Sequence, residues 1–306
     1  MKRLVIGILT VLMLIGCGQS YEETKRLSRQ QRLQLAREDS AALKIAVMPT
    51  LDCLPVFVAK ECHLFDSAVD IRLKRFAAQM DCDTALLRGR VEGAFTDLVR
   101  AERMIKSGMP LRYVFSTNAY WLLIGNRQSR VTQLKHLDDK MLAMTRYSAT
   151  DMLGDLAVDS ARLKSERVFR IQVNDVNVRL KMLENNVMDA LLLTEPQATQ
   201  ALLAKHKVLL DTRKLDFHLG VVAFRKEGMD HPKRKQQIEA FMKGYRAACD
   251  SINRMGIGHY RQIVKKYYGI SNQTLKALPD TLKYTYALPR EKDVEKVREW
   301  LHKKQL

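Results

Sequence analysis

The sequence lacks the short motifs that mark the common enzyme classes. It contains no Gly-x-Ser-x-Gly, no phosphate-binding Gly-x-x-x-x-Gly-Lys and no His-Glu-x-x-His. It also has no Cys-x-x-Cys, and its seven histidines are scattered without the spacing of metal ligands. We therefore expect no catalytic residues, no bound metal and no cofactor, and we expect the protein not to be an enzyme.

Acidic residues are scarce relative to basic ones. Asp and Glu number 34 against 52 Lys and Arg, which gives a formal charge of +18. The basic residues are spread over the whole chain, and neither zinc-ligand spacing nor a glycine-aromatic RNA-binding signature accompanies them. We expect no nucleic-acid partner, because a solvated basic surface near anionic envelope lipids explains the charge equally well.

The sequence has no apolar run long enough for a bilayer-spanning helix, which needs roughly 20 residues. The run from Leu4 to Ile15 is shorter, follows Lys2 and Arg3, and ends in Leu14-Ile-Gly-Cys17, which has the pattern of a secretory signal. The last four residues resemble the bacterial lipobox, which implies cleavage after residue 16 and a diacylated Cys17. An ordinary signal peptide with an incidental cysteine is the alternative. We expect a signal peptide over 1–16, a lipidated charged tether over 17–42 with a helix as one option, and a periplasm-facing protein on the inner or outer membrane of a bacterial envelope.

Cysteine is sparse in the rest of the chain. Cys53, Cys62, Cys82 and Cys249 allow three pairings in an oxidising envelope. Cys53 and Cys82 follow predicted strands at the same sheet edge and are the nearest pair, but nothing in the sequence requires a bridge. Buried free thiols are the favoured expectation.

From residue 43 onwards the chain alternates short apolar strands with helical patterns. The first strand, Ile45 to Val47, stops at Pro49, and Pro55 opens a helix. Such close alternation predicts an α/β fold with parallel sheets. The pattern restarts at Trp121, which predicts a first lobe from 43–118 and 219–306 and a second lobe over 119–218.

Polar residues follow the predicted strands of both lobes. In open α/β sheets, ligands bind at the carboxyl ends of the strands. Thr96-Asp97 and Thr194-Glu195 end equivalent strands, so two such edges would face each other across a cleft. The candidate ligand-binding residues are Thr50, Leu51, Asp52, Gln79, Met80, Asp81, Thr96, Asp97, Asn118, Tyr120, Arg146, Ser148, Ala149, Thr150, Asn174 and Glu195.

Several of these candidates have a purely structural alternative. Asp97 has the pattern of a helix N-cap, and the Glu195 carboxylate could interact with the positive end of the dipole of the helix after Pro196. The helix start at Ser148 suits an oxyanion, and Arg146 could pair with a carboxylate, sulfonate or phosphate or could simply face solvent. The acidic candidates instead favour an amine or a polyhydroxyl, so the sequence does not determine the charge of the ligand. A small polar or heteroaromatic molecule is the expected ligand.

Three stretches together resemble the substrate-binding lipoproteins of ABC importers, in the group that binds sulfonates, taurine, nitrate and thiamine-pyrimidine precursors. They are Met48-Pro-Thr-Leu-Asp-Cys-Leu-Pro-Val-Phe-Val-Ala-Lys-Glu61, Asp83-Thr-Ala-Leu-Leu-Arg-Gly-Arg-Val-Glu92 and Met188-Asp-Ala-Leu-Leu-Leu-Thr-Glu-Pro-Gln197. The resemblance implies the type II periplasmic-binding-protein fold, with two lobes that each hold a mostly parallel sheet flanked by helices. It also implies a monomer that carries a small-molecule ligand to an inner-membrane permease and its ATPase. The chain departs from this group at Arg146 to Thr150, where many relatives have a glycine-rich helix start.

Two other functions are compatible with this fold. An enzyme of small-precursor metabolism predicts a buried acid–histidine pair inside the cleft. An envelope scaffold or signalling lipoprotein predicts a cleft with apolar or blocked loops at Thr50, Gln79, Thr96, Ser148 and Thr194.

Overall fold

A computed structural model of the protein describes residues 21–280 and 282–305. The predicted signal peptide over 1–16 and Cys17 lie outside these residues. The described residues divide into two units, with the boundary between Ala42 and Leu43. In the first unit the described residues form one polar helix, α1 (Tyr21–Ala41). Among the described residues, no helix has the length and apolar character needed to cross a membrane.

The second unit contains two five-stranded sheets. The strands of sheet 1 are β1 (Leu43–Val47), β2 (Ile71–Arg75), β3 (Gly93–Asp97), β4 (Leu111–Ser116) and β10 (Gly220–Arg225), in the order β2-β1-β3-β10-β4. Those of sheet 2 are β5 (Leu122–Gly125), β6 (Lys140–Met144), β7 (Val168–Gln172), β8 (Ala190–Leu193) and β9 (Lys207–Asp211), in the order β7-β6-β8-β5-β9. The two sheets therefore repeat one plan, and the predicted α/β fold is confirmed.

Helices follow most of these strands. Within 43–306 they are α2 (Leu54–Glu61), α3 (Gln79–Leu87), α4 (Leu98–Lys106), α5 (Ala149–Ser160), α6 (Val176–Glu184), α7 (Gln197–Leu203), α8 (Pro232–Met255), α9 (Arg261–Tyr268), α10 (Asn272–Ala277) and α11 (Glu291–Lys303). Short 3-10 turns cover Leu51–Cys53, Leu134–Leu137, Ser165–Arg167 and Ile257–Tyr260.

The chain passes between the sheets twice, over 117–121 and 212–219. β1 pairs in parallel with β2 and β3, and β6 pairs in parallel with β7 and β8. β10 and β5 enter from the other sheet and run antiparallel to both of their neighbours. The two passes lie side by side, because the Trp121 and Thr212 backbones are hydrogen-bonded and the Thr117 N–H donates to Gly220 O.

One predicted loop is part of a helix. The residues Gln79-Met80-Asp81 after the second strand are typical of a loop, with Asp81 or Asp83 as the cap of the helix that follows. In the structure α3 already begins at Gln79, with Ala78 as its extended N-cap. Asp81 therefore lies in the first turn, where the positive end of the helix dipole stabilises a carboxylate. This earlier start turns Met80 and Asp81 towards solvent.

The C-terminal helix α11 contacts helices that follow strands of both sheets. Arg298 Nε donates to Glu102 Oε2 on α4 at 2.8 Å, and Trp300 Nε1 donates to Asp155 Oδ2 on α5 at 2.9 Å. Val297 and Leu301 are buried in the apolar cluster that α4 and α5 share. Helix α11 thus holds the two lobes together along one side.

The four described cysteines are free thiols. Cys53, Cys82 and Cys249 are buried, and Cys62 is exposed. This agrees with the expectation of buried free thiols for three of the four.

Candidate functional site

A small cavity lies between the carboxyl edges of the two sheets. Its volume is about 70 Å³. Since one buried water needs roughly 10–15 Å³, the cavity is large enough for several waters or for a small ligand.

Half of the predicted ligand-binding residues line this cavity. They come from both lobes and are Thr50, Asp52, Gln79, Thr96, Asp97, Ser148, Thr150 and Asn174. Thr194, from the predicted pair Thr194-Glu195, also lines it. The remaining wall includes two arginines that the sequence did not point to, Arg100 on α4 and Arg179 on α6.

Arg100 presents an unused hydrogen-bonding edge in the cavity wall. Its side chain is 3% exposed, and its Nη1 binds the carboxylate of Asp83. Nε and Nη2, which together form the other edge of the guanidinium, are buried and have no hydrogen-bond partner among the described residues. Asp97 Oδ2 lies 3.7 Å from Nε, beyond hydrogen-bond range. Such an edge matches the two oxygens of a carboxylate, nitrate or sulfonate.

Arg179 repeats this arrangement from the second lobe. Its side chain is 6% exposed, and Nη1 donates to Leu192 O at 2.7 Å. Nε is buried and unpartnered within the described part of the chain. Burial lowers the pKa of both Arg100 and Arg179 to about 10, so both stay charged at neutral pH. The Thr96 hydroxyl in the same wall is also buried without a partner.

Asp97 binds the first turns of two helices in different lobes. Its Oδ1 accepts from the Arg100 backbone N–H on α4 and from the Ala149 backbone N–H on α5, both at 3.0 Å. The carboxylate is thus the N-cap of α4, which was the structural alternative for this residue, and it also occupies the start of α5. Burial raises the pKa of Asp97 to about 7, although both backbone bonds oppose that shift.

The helix start predicted to receive an oxyanion is filled by the protein itself. Besides the bond from Ala149, the Ser148 hydroxyl donates to Thr145 O at 2.7 Å and caps Thr150 N at 3.1 Å. The Thr150 hydroxyl accepts from Thr145 N at 2.8 Å. These donors are already used locally, whereas the two arginines and the Thr96 hydroxyl have hydrogen-bonding groups without a partner among the described residues.

Three predicted residues lie on the surface away from the cavity. Arg146 is exposed and lines a separate open groove with Tyr147, as its structural alternative implied. Met80 is 40% exposed, and its sulfur accepts from Gln172 at 3.3 Å. Asp81 is exposed on α3. None of the three lines the cavity.

Five others lie beside the cavity in structural roles. The Leu51 N–H donates to Glu195 O at 2.8 Å, which joins the lobes. The Glu195 carboxylate is 3% exposed and accepts from Tyr120 OH at 2.5 Å and from Thr199 N at 3.0 Å, so it serves the start of α7. Asn118 hydrogen-bonds Tyr284. The fifth is Ala149, whose N–H is bound to Asp97.

Two further bonds keep the cleft narrow. Gln197 Nε2, from the second lobe, donates to Pro49 O at 3.1 Å. Ala78 and Asp175 form an isolated β-bridge between the lobes. Opposite the arginines, burial raises the pKa of Asp52, whose carboxylate accepts from the Thr117 hydroxyl at 3.3 Å.

A signal for the two arginines is present in the sequence. Arg100 is the third residue of α4 and Arg179 the fourth of α6. A cation in the first turn faces the positive end of the helix dipole, which is unfavourable unless an anion compensates. Arginine in the first turn of a predicted helix at the ligand edge is therefore a usable indicator of an anion site.

No protein-family model matches the sequence, and no curated protein matches it. Solved structures do match. The periplasmic aliphatic sulphonate binding protein SsuA from Escherichia coli has 17% identity and a TM-score of 0.69, covering 86% of this chain and 92% of its own. The zinc-bound ligand-binding component of an ABC-type import system from Staphylococcus aureus has 18% identity and a TM-score of 0.71, with the same coverage. The nitrate-binding protein NrtA from Synechocystis has 14% identity and a TM-score of 0.65, covering 80% and 73%. The expected two-lobed periplasmic-binding fold is confirmed.

Proposed function

We propose that the protein is a solute-binding component of an ABC-type import system that captures a small oxyanion, or a small molecule with an oxyanion group, between its lobes. One observation carries the proposal: two arginines, one from each lobe, line one cavity, and each has a buried N–H group without a partner among the described residues. A buried guanidinium with incomplete hydrogen bonding is costly, and an anion that accepts from both would reduce that cost.

The similar structures support this choice of function and ligand. One is named as the ligand-binding component of an ABC-type import system, and the other two are named as periplasmic binding proteins for sulphonate and nitrate. Nitrate has a size that the 70 Å³ cavity can hold.

The ligand would bind by stabilising the closed arrangement of the lobes. An anion that accepts from Arg100 and Arg179 joins α4 to α6, and the bonds between Leu51 and Glu195 and between Gln197 and Pro49 close around it. A protein that samples open and closed forms is shifted towards the closed form in proportion to these extra contacts.

Calorimetric titration of the lipid-free chain with nitrate, methanesulfonate and formate tests the proposal, with ammonium as the cationic comparison. We expect at least one anion to bind and ammonium not to bind. Arg100→Gln should weaken anion binding at least about thirtyfold, because truncating one partner of a buried charged hydrogen bond costs roughly 2–5 kcal/mol.

Arg254→Gln is the matched control, since it removes the same charge from an exposed residue of α8. It should leave the affinity unchanged. If Arg254→Gln weakens anion binding as much as Arg100→Gln does, the loss of affinity comes from the net charge of the protein and not from the cavity. Binding of ammonium in preference to the anions would refute the proposed ligand class.

The same proposal includes the setting of the protein. We infer that Cys17 carries the lipid, that residues 17–42 with helix α1 tether the domain to the envelope membrane, and that a monomer delivers its ligand to an inner-membrane permease and ATPase. The fold of the import components supports the delivery step.

The two alternatives draw no support from the site. Thr50, Gln79, Thr96, Ser148 and Thr194, which a decayed cleft would block, are polar residues that line the cavity. The enzyme alternative requires an acid–histidine pair, and no histidine is among the described residues that line the cavity.

A further inference from the structure

Asp97 is an acid beside the unpartnered edge of Arg100. Its Oδ2 lies 3.7 Å from Arg100 Nε, while Oδ1 is held by the two backbone N–H groups of α4 and α5. The side chain is 6% exposed and lines the same cavity. An oxyanion seated on the Arg100 edge would therefore lie directly beside this carboxylate, with no room for a layer of water between them.

The other charged groups around Asp97 do not cancel this repulsion. Arg100 is paired with Asp83, which leaves Arg179 as the second cation. Asp52 is a further acid that lines the cavity, and the hydroxyl of Tyr113 on β4 donates to Glu102 of α4 at 2.6 Å. The carboxylates of Asp83 and Asp52, when ionised, balance the two guanidinium groups. An ionised Asp97 and a monovalent anion together would then leave two negative charges uncompensated in the cavity.

We propose that Asp97 makes anion binding proton-coupled: the cavity takes up its oxyanion together with one proton on the Asp97 carboxyl. This inference rests on the proposed function and goes beyond it by assigning Asp97 the role of a specificity-determining residue. Once protonated, Asp97 can still accept from Ala149 through Oδ1, and its hydroxyl can donate to an oxygen of the ligand. The protein therefore binds an anion that carries no proton more tightly at low pH than at high pH.

The sign of the pH dependence follows from the environment of Asp97. Burial raises its pKa to about 7 without ligand, and a neighbouring anion raises that pKa further. The proton is therefore already in place below about pH 7 and has to be taken up above it, so the affinity falls as the pH rises through neutrality. Arg100 and Arg179, with pKa values of about 10, keep their charge over this range.

Calorimetric titration with nitrate between about pH 6 and pH 8.5 tests the inference, because nitrate has no proton of its own in this range. For the unchanged protein we expect the dissociation constant to rise towards tenfold per pH unit above about pH 7. The binding enthalpy should also depend on the ionisation enthalpy of the buffer, with close to one proton taken up at about pH 8. This second readout needs no variant.

Asp97→Asn supplies the comparison. Its amide oxygen can accept from both helix starts as the carboxylate does, but it does not titrate, so binding should be independent of pH and of buffer. Nitrate binding by the unchanged protein with neither a pH slope nor proton uptake would overturn the inference and leave the proposed function standing, and so would a slope that Asp97→Asn retains. Failure of nitrate, methanesulfonate and formate to bind either protein at about pH 6 would overturn the proposed function and this inference with it.

Discussion

Arg100 and Arg179 are unusual residues because their charge is buried and incompletely paired. Moving a charged side chain out of water costs several kcal/mol unless its partners are complete. Arg179 has one hydrogen bond to a backbone carbonyl, and no ion pair with it is found among the described residues. Under the proposed function, the protein gives up stability at these residues for a site that an anion would complete.

This trade predicts a change in stability opposite to the change in binding. Arg179→Met should raise the free energy of unfolding of the ligand-free protein by roughly 1–3 kcal/mol, because an apolar side chain of similar length removes an unpaired buried charge. The same variant should lose the thermal shift that nitrate gives the unchanged protein. Urea unfolding with and without nitrate measures both quantities. A destabilised variant that still shows the full nitrate shift would mean that Arg179 is structural.

Among the elements, β5 and the loop after it depend on Gly125. A Cβ on Gly125 would lie 2.1 Å from the carbonyl oxygen of Val131, which is backbone and cannot rotate away. β5 lies between β8 and β9 and pairs with both, so a shift here disturbs sheet 2 at the strand that enters from the other lobe.

Gly125→Ala should therefore lower the free energy of unfolding by about 1–3 kcal/mol, the usual cost of overpacking. Gly258→Ala is the matched control, since no atom lies within 4 Å of a Cβ at that position in the Ile257–Tyr260 turn. It should change the free energy of unfolding by less than about 1 kcal/mol. Chemical denaturation of the two variants side by side checks the difference, and equal effects would contradict this account of β5.

Local patterns were enough to predict the elements, because their signals are short-range. The strand at 190–193 and the helix after Pro232 follow from apolar runs and from proline at a helix start. The start of α3 could not be read in this way, since Ala78 has no capping side chain. The hydrogen bond from the Ala149 N–H to Asp97 could not be predicted either, because the two residues are 52 positions apart in sequence and lie in different lobes.

At the scale of the whole molecule, the fold was predictable and the chemistry of the cleft only in part. Alternation along the chain predicts two α/β lobes, and the carboxyl edges of the strands predict where they face each other. Which side chains keep free hydrogen-bonding groups depends on the packing of both lobes together. The sequence therefore placed Thr50, Asp52 and Asp97 at the cavity but missed Arg100 and Arg179.

The proposed anchor is testable in the complete chain. Cys17→Ser should move the protein from the membrane fraction to the soluble fraction of an expressing bacterium, because the acyl chains need the Cys17 thiol. Cys62→Ser, which alters an exposed free thiol of the folded domain, is the matched control and should leave the protein with the membrane. Detergent-phase partitioning followed by immunoblotting measures the distribution. Membrane association that survives Cys17→Ser would contradict the lipid anchor.

The central claim is that an oxyanion completes the two arginines, and a crystal structure of the protein grown with nitrate tests it most directly. We predict planar electron density in the cavity, with oxygens about 2.7–3.1 Å from Arg100 Nε and Nη2 and from Arg179 Nε, and with the lobes closed around it. Nitrate bound only elsewhere, with both arginine edges paired to protein groups, would contradict the claim.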